Sequence, residues 1–108
     1  MMELNRKYVF HIPLCKWEND ELVPIDIDGI LDDLASEFSQ KGFEGFYLTK
    51  AKAHYKSRCF DELLITMFAA SDNPEEIFSE WFRANNEVLG QEAFAWEMGN
   101  SLFIEDLM

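Results

Sequence analysis

The feature that most constrains the fold of this chain is a long strand-like stretch from Phe43 to Ala70. Its first arm reads FEGFYLTKAKAHYK, and a period of two places alternate side chains on opposite faces of a β-strand. Its second arm, ELLITMFAA, is apolar at both parities and rich in residues that favour strands, as in a buried central strand. We therefore predict a long β-hairpin, with strands near residues 44–57 and 62–70 and a turn over Ser57–Asp61.

One face of the first arm changes from apolar to cationic along its length. The even-numbered positions of the arm share this face: Phe46, Leu48, Lys50, Lys52, His54 and Lys56. We call the last four of these residues the cationic row. Lysines on a sheet face can hold a carboxylate or a phosphate, and a histidine beside them can carry a proton. The row also has a purely structural interpretation, because edge strands often carry lysine to prevent pairing with other chains.

Periodicity predicts three further elements, a strand near residues 7–15 and helices near 27–41 and 74–89. The first helix should end at Gly42, because glycine readily adopts the left-handed conformation that closes a helix. The segment between the first strand and the first helix, Trp17–Pro24, is interpreted as a polar loop.

The C-terminal tail, residues 91–106, is interpreted as a final strand or a pair of strands. Phe94, Trp96 and Met98 alternate with smaller or polar residues. Gly99-Asn100 then separates them from a second apolar run, which is a two-residue hairpin signal. The alternative is a helix followed by a strand.

The order strand, helix, strand, strand, helix, strand predicts a ferredoxin-like α+β fold, βαββαβ, in a single domain over residues 1–108. We expect an antiparallel sheet with strand order 4-1-3-2, both helices on one face and a possible extra C-terminal hairpin strand. Ala51 and Ala53 would face the helices, whereas Val9, His11 and the cationic row would share the uncovered face. A half-apolar sheet face of this kind is a contact site, which predicts a homodimer.

Four residues on that uncovered face are predicted to bind a ligand: His11, Lys50, Lys52 and His54. Their charge favours a small anionic ligand. The sequence has no GxSxG, P-loop, HExxH or GxGxxG motif, so we assign no catalytic residue and expect no cofactor. A zinc site built from the two histidines with Cys15 and Cys59 would need distant residues to converge, so we predict no metal.

The net charge of the chain limits the classes of partner that it can bind. With 21 acidic and 9 basic residues the net charge is −12. Such a surface repels phosphate backbones and anionic lipids, which predicts that neither nucleic acid nor membrane is a partner. It suits a basic protein partner instead, as for an immunity or inhibitor protein. Two cysteines without a CxxC pair favour a reducing compartment and hence a cytoplasmic location.

In its order of elements the chain resembles the small dimeric α+β barrel proteins, which bury the uncovered sheet face against a second subunit. Gln91-Glu92 followed by an apolar run is also similar to a bacterial domain-of-unknown-function family with this layout. The barrel family includes cofactor-free oxygenases, isomerases, haem enzymes and ligand sensors, so the resemblance selects no single activity.

Three functional hypotheses follow from the sequence. The first is a homodimeric binding or regulatory domain for a small anionic ligand. The second is a cofactor-free enzyme with His54 or His11 as the general base. The third is an acidic module that blocks a basic partner.

Overall fold

The computed structural model describes residues 1–70 and 73–107. Within these residues the chain forms seven strands and three helices. The strands are β1 (Arg6–Pro13), β2 (Cys15–Glu18), β3 (Glu21–Pro24), β4 (Phe46–Tyr55), β5 (Arg58–Ala69), β6 (Ala93–Met98) and β7 (Ser101–Asp106). The helices are α1 (Asp28–Gln40), α2 (Pro74–Ala84) and α3 (Asn86–Leu89).

The α+β class is confirmed, but the ferredoxin-like βαββαβ prediction with strand order 4-1-3-2 is wrong. The main sheet has five antiparallel strands in the order β4-β5-β1-β6-β7, and β2 and β3 form a second, two-stranded sheet. The tail therefore supplies two strands, joined at Gly99-Asn100, where Gly99 has a φ of 58°. That left-handed conformation costs glycine little, which is why the hairpin signal in the tail was reliable.

The segment predicted as a polar loop, Trp17–Pro24, instead contributes to the β2–β3 hairpin. Its turn residues Asn19 and Asp20 both have positive φ, 53° and 62°. Asn and Asp tolerate this conformation better than most residues, so they can form a two-residue hairpin turn. We predicted a loop because the segment is polar, although it forms a pair of strands outside the main sheet.

The first helix matches its prediction closely, including its end. Gly42 has a φ of 92°, and the N–H of Phe43 donates a hydrogen bond of 2.8 Å to the carbonyl of Phe38. This bond is the outer one of a Schellman motif, and the rings of Phe38 and Phe43 meet edge to face with centroids 6.3 Å apart.

The second predicted helix is divided at Asn85 into α2 and α3. The side chain of Asn85 donates a hydrogen bond of 2.8 Å to the carbonyl of Trp81, and its backbone N–H donates to the same oxygen. An asparagine side chain that competes for helix carbonyls favours a break. The apolar periodicity continues through this break, so it could not reveal the division.

Both helices pack on one face of the sheet, as predicted. Phe10 at the sheet centre contacts Phe38 of α1, with ring centroids 5.6 Å apart, and Phe78 of α2, at 4.7 Å. Among the described residues, eight of the sixteen buried apolar side chains of this core are aromatic: Tyr8, Phe10, Phe38, Phe78, Trp81, Phe82, Phe94 and Trp96. Because the helices cover only this face, the opposite face of the sheet is open to other interactions.

The predicted facing of β4 is wrong. Phe46 packs against Phe38, with ring centroids 5.8 Å apart, and lies opposite the buried Met67 of β5. Strand alternation then places Ala51 and Ala53 on the open face and the cationic row on the helix side. The deciding contact is the packing of β4 against the preceding helix α1, which alternation alone does not reveal.

The turn of the central hairpin is also shorter than predicted. It consists of Lys56 and Ser57, with φ values of 49° and 63°, rather than Ser57–Asp61. Two consecutive positive φ values are typical of the type I′ turn that suits a two-residue hairpin. Neither residue is the Gly or Asn that usually signals this turn, which explains the error.

Candidate functional site: the open face of the sheet

The sheet face opposite the helices is the candidate site, and we call it the open face. It carries Val9 and His11 of β1, Leu64 and Phe68 of β5, Glu62, Glu97, and Leu102 and Ile104 of β7. Phe68, Leu102 and Ile104 are 44%, 58% and 67% exposed. An apolar sheet surface of this kind is typical of an interaction site.

The centre of the open face is His11, held between two carboxylates. Its Nδ1 lies 3.2 Å from Oε2 of Glu62, and its Nε2 lies 2.6 Å from Oε2 of Glu97. Glu62 belongs to β5 and Glu97 to β6, the two strands that flank β1. Each lies two positions along its strand from the residue directly opposite His11, within diagonal reach across a sheet.

This geometry favours the protonated form of His11. A neutral imidazole has one N–H donor, whereas the charged ring can donate to both carboxylates at once. The hydrogen bond to Glu62 is the largest cause that raises the pKa of His11 above 6.5. Burial lowers this pKa, but the contributions of Glu62 and Glu97 together outweigh burial. The cluster of one imidazolium and two carboxylates then has a net charge of −1.

A protonated His11 with both nitrogens engaged is poorly suited to act as a general base. A base needs a free nitrogen that can reach the proton of a substrate. The arrangement instead holds the ring rigidly and presents carboxylate oxygens at the surface, where the side chain of Glu97 is 39% exposed. Electrostatically, this site attracts a positively charged group.

The other three predicted ligand-binding residues do not join His11. Lys50, Lys52 and His54 lie on the helix side of β4, so the prediction that all four share one face is wrong. The Nζ of Lys52 lies 2.6 Å from Oδ1 of Asp61 on β5, and this exposed ion pair raises the pKa of Lys52. Binding of an anion by these side chains stays a prediction, but they do not form one cluster.

Sequence reasoning missed Glu62 and Glu97, the two residues that define the site. The parity of β5 does place Glu62 on the same face as Leu64, so an acidic residue in an otherwise apolar strand was a usable signal. Glu97 gave no such signal, because the sequence left the structure of the tail open. Neither strand order nor diagonal neighbours could be obtained without the fold.

We also searched residues 1–70 and 73–107 for a metal site, a disulfide and a membrane-spanning helix. No three His, Cys, Asp or Glu side chains of these residues are placed to hold a metal ion. Cys15 and Cys59 are free thiols, and burial raises the pKa of Cys15. None of the described helices is long and apolar enough to cross a membrane.

Comparison with known proteins identifies the fold but not a family. No protein-family model matches the chain, and no curated protein matches it. The solved structure of a phage SAM lyase in complex with S-methyl-5′-thioadenosine matches with a TM-score of 0.62 at 11% identity, and the match covers 98% of this chain and 95% of that one. The apo state of a phage SAM lyase matches with a TM-score of 0.58 at 11% identity, over 98% and 94% of the two chains. The chain therefore has the fold of these phage SAM lyase structures.

Proposed function

We propose that this chain is a cytoplasmic binding domain that forms a homodimer through its open face and takes a positively charged ligand there. The single observation that carries the proposal is the Glu62–His11–Glu97 cluster, set among exposed apolar side chains at the middle of that face. The apolar residues favour association, and the excess negative charge favours a cation.

A second copy is the natural cover for the open face. A two-fold contact lets one patch meet the same patch on its partner, so the exposed Phe68 and Leu102 of both copies would be buried together. Two sheets packed in this way enclose polar groups between them, which would place both His11 clusters within the interface. A ligand with a positive charge would then offset the repulsion between two acidic clusters.

A charged side chain within the apolar patch should break this dimer. Phe68→Glu and Leu102→Glu are each expected to weaken association by roughly tenfold or more, because each would bury a carboxylate in the interface. Sedimentation velocity at micromolar concentration measures the effect, with wild type at twice the mass of one chain. Val88→Glu is the matched control, since Val88 is 40% exposed and lies on α3, which is not part of the sheet. Dimers that survive both face variants would contradict the proposal.

A second candidate function follows from the fold likeness. The similar phage protein is a SAM lyase solved with S-methyl-5′-thioadenosine. SAM carries a sulfonium cation, and a pair of carboxylates on the open face is the kind of surface that would attract it. The second candidate is therefore a SAM-directed binding protein or lyase whose site lies at Glu97 and Glu62.

Titration calorimetry distinguishes this candidate from a domain that does not bind SAM. We expect SAM to bind more tightly than S-adenosylhomocysteine, which lacks the sulfonium charge, and Glu97→Gln to weaken SAM binding by roughly tenfold. Glu44→Gln, an exposed carboxylate outside the sheet, is the control. Lyase activity would release S-methyl-5′-thioadenosine from SAM, which chromatography detects. Equal affinity for the two ligands, or none for either, would reject a sulfonium site.

A further inference from the structure

The Glu62–His11–Glu97 cluster changes both its charge and its hydrogen bonds when His11 loses one proton. With the ring protonated, one imidazolium and two carboxylates have a net charge of −1. Without that proton the net charge is −2, and the ring keeps a single N–H donor. One of the two carboxylates then faces a ring nitrogen that can no longer donate to it. Proton loss therefore makes the cluster more acidic and leaves one carboxylate without its hydrogen bond.

A second copy on the open face would make this change more costly. In a single copy, the side chains of His11, Glu62 and Glu97 are 21%, 18% and 39% exposed, so water screens their charges. A covering sheet excludes this water, and an unpaired carboxylate in a dry interface is strongly unfavourable. A two-fold contact also brings two acidic clusters into one interface. Burial therefore penalises the charge of −2 on each cluster more than the charge of −1.

We propose that His11 is a pH switch for this contact, so that its protonated ring permits the open-face dimer and loss of the proton dissociates it. The switch depends on the dimer proposed above and determines when that dimer forms. The two carboxylates raise the pKa of His11, so the protonated form persists above pH 6.5 in a single copy. Because the dimer disfavours the deprotonated cluster, it binds the proton more tightly than a single copy does. Proton binding and association therefore promote each other.

The other ionisable side chains of the open face do not account for such a switch. Strand alternation places five of them there: Lys7, Arg58, Asp106, Tyr47 and Tyr55. Side chains of these four types keep one charge state between about pH 6 and pH 9. The helices α1 and α2 lie on the opposite face, and the charged side chains in contact with the ring are those of Glu62 and Glu97. The charge of His11 is therefore the one on this face that responds to pH near neutrality.

A rise in pH should therefore weaken the dimer. We expect the dissociation constant of the wild-type chain to rise by roughly tenfold or more between about pH 6 and pH 9, because the dimer must lose protons that it binds tightly. Sedimentation velocity over a dilution series measures this constant at each pH. The ionic strength is held fixed, because salt screens repulsion between charges. Circular dichroism at the same pH values checks that each copy remains folded.

Variants of the cluster assign the pH effect to His11. His11→Gln has no ionisable ring, so its dissociation constant should stay nearly constant with pH and near the weak wild-type value at high pH. Glu62→Gln combined with Glu97→Gln removes both negative charges, so proton loss takes the cluster from +1 to 0. Association of that double variant should strengthen as the pH rises. His54→Gln is the matched control, because it removes the other histidine at an exposed site on the helix side of β4 and should dissociate as wild type does.

The direction of the pH effect in each protein decides between the outcomes. Weaker association of the wild type at high pH, a flat response of His11→Gln and a reversed response of the double variant support the switch. A wild-type dimer that does not respond to pH overturns the switch and leaves the open-face dimer in place. The same holds if His11→Gln or the double variant dissociates with pH as the wild type does. A wild-type chain that is a single copy at every pH overturns both the dimer and its switch.

Discussion

Replacement of Phe10 by alanine is expected to lower the free energy of unfolding by about 3–5 kcal/mol. Phe10 has no exposed surface, and its ring contacts Tyr8, Phe38 and Phe78 with centroids 4.7 to 6.0 Å away. Its loss would open a cavity between the sheet and both helices, where rigid neighbours cannot close in. The cost is a large part of the roughly 5–15 kcal/mol that stabilises an ordinary domain. Urea unfolding, monitored by circular dichroism, measures this loss in the free energy of unfolding.

Phe68→Ala is the matched control, because it deletes the same ring from a neighbouring strand at a position that is 44% exposed. Measured at concentrations where single copies predominate, it should cost well under about 1.5 kcal/mol. Equal losses for the two variants would mean that Phe10 is not at the centre of a packed core.

The stability supplied by His11 should depend on pH with a definite sign. The carboxylates raise the pKa of His11 in the folded chain above its unfolded value of 6.5. The folded state therefore binds the proton more tightly, so this contribution is fully present below pH 6.5 and is lost as pH rises through the folded pKa. Against His11→Gln, the wild-type chain should gain on the order of 1 kcal/mol below pH 6.5, because charge-assisted hydrogen bonds at a partly exposed site are partly screened. Above the folded pKa this difference should shrink.

An NMR titration of the His11 imidazole tests directly whether the two carboxylates raise its pKa. The chain has two histidines, so a His54→Gln background leaves a signal that belongs to His11 alone. Glu62→Gln should lower the titration midpoint more than Glu97→Gln does, because the side chain of Glu62 is 18% exposed and that of Glu97 is 39% exposed. Glu44→Gln should leave it unchanged. A midpoint at or below 6.5 in the unmodified cluster would show that the carboxylates do not hold the proton.

The fold and the charge of this chain lead to different functional expectations when they are considered separately. The cationic row suggested an anion on the sheet face, whereas the net charge of −12 suggested a basic protein partner. In the structure the row lies on the helix side, and the open face presents carboxylates instead. The sign of the ligand that we propose therefore reverses, while the proposed interaction surface remains the sheet face opposite the helices.

The sequence by itself determined most of the local elements of this protein. Apolar residues at helical spacing located α1, and alternation located β1 and β4, because both patterns depend only on side-chain direction along the backbone. A run of apolar, strand-forming residues located β5. Gly42 and Gly99 marked a helix end and a hairpin turn, since each needs a left-handed conformation that glycine adopts without a steric penalty. These features are decided by neighbours within a few residues.

Only the tertiary structure decided which face of β4 is buried and what surrounds His11. The contact between Phe46 and Phe38 decides which face of β4 is buried, and alternation does not encode this packing of a strand against a helix. Strand order decides what surrounds His11, because it brings Glu62 and Glu97 to the two sides of the imidazole from 51 and 86 residues away in the chain. A side chain's parity is local, whereas the identity of its neighbours depends on the whole sheet. For that reason the candidate site emerged only when the five strands were assembled.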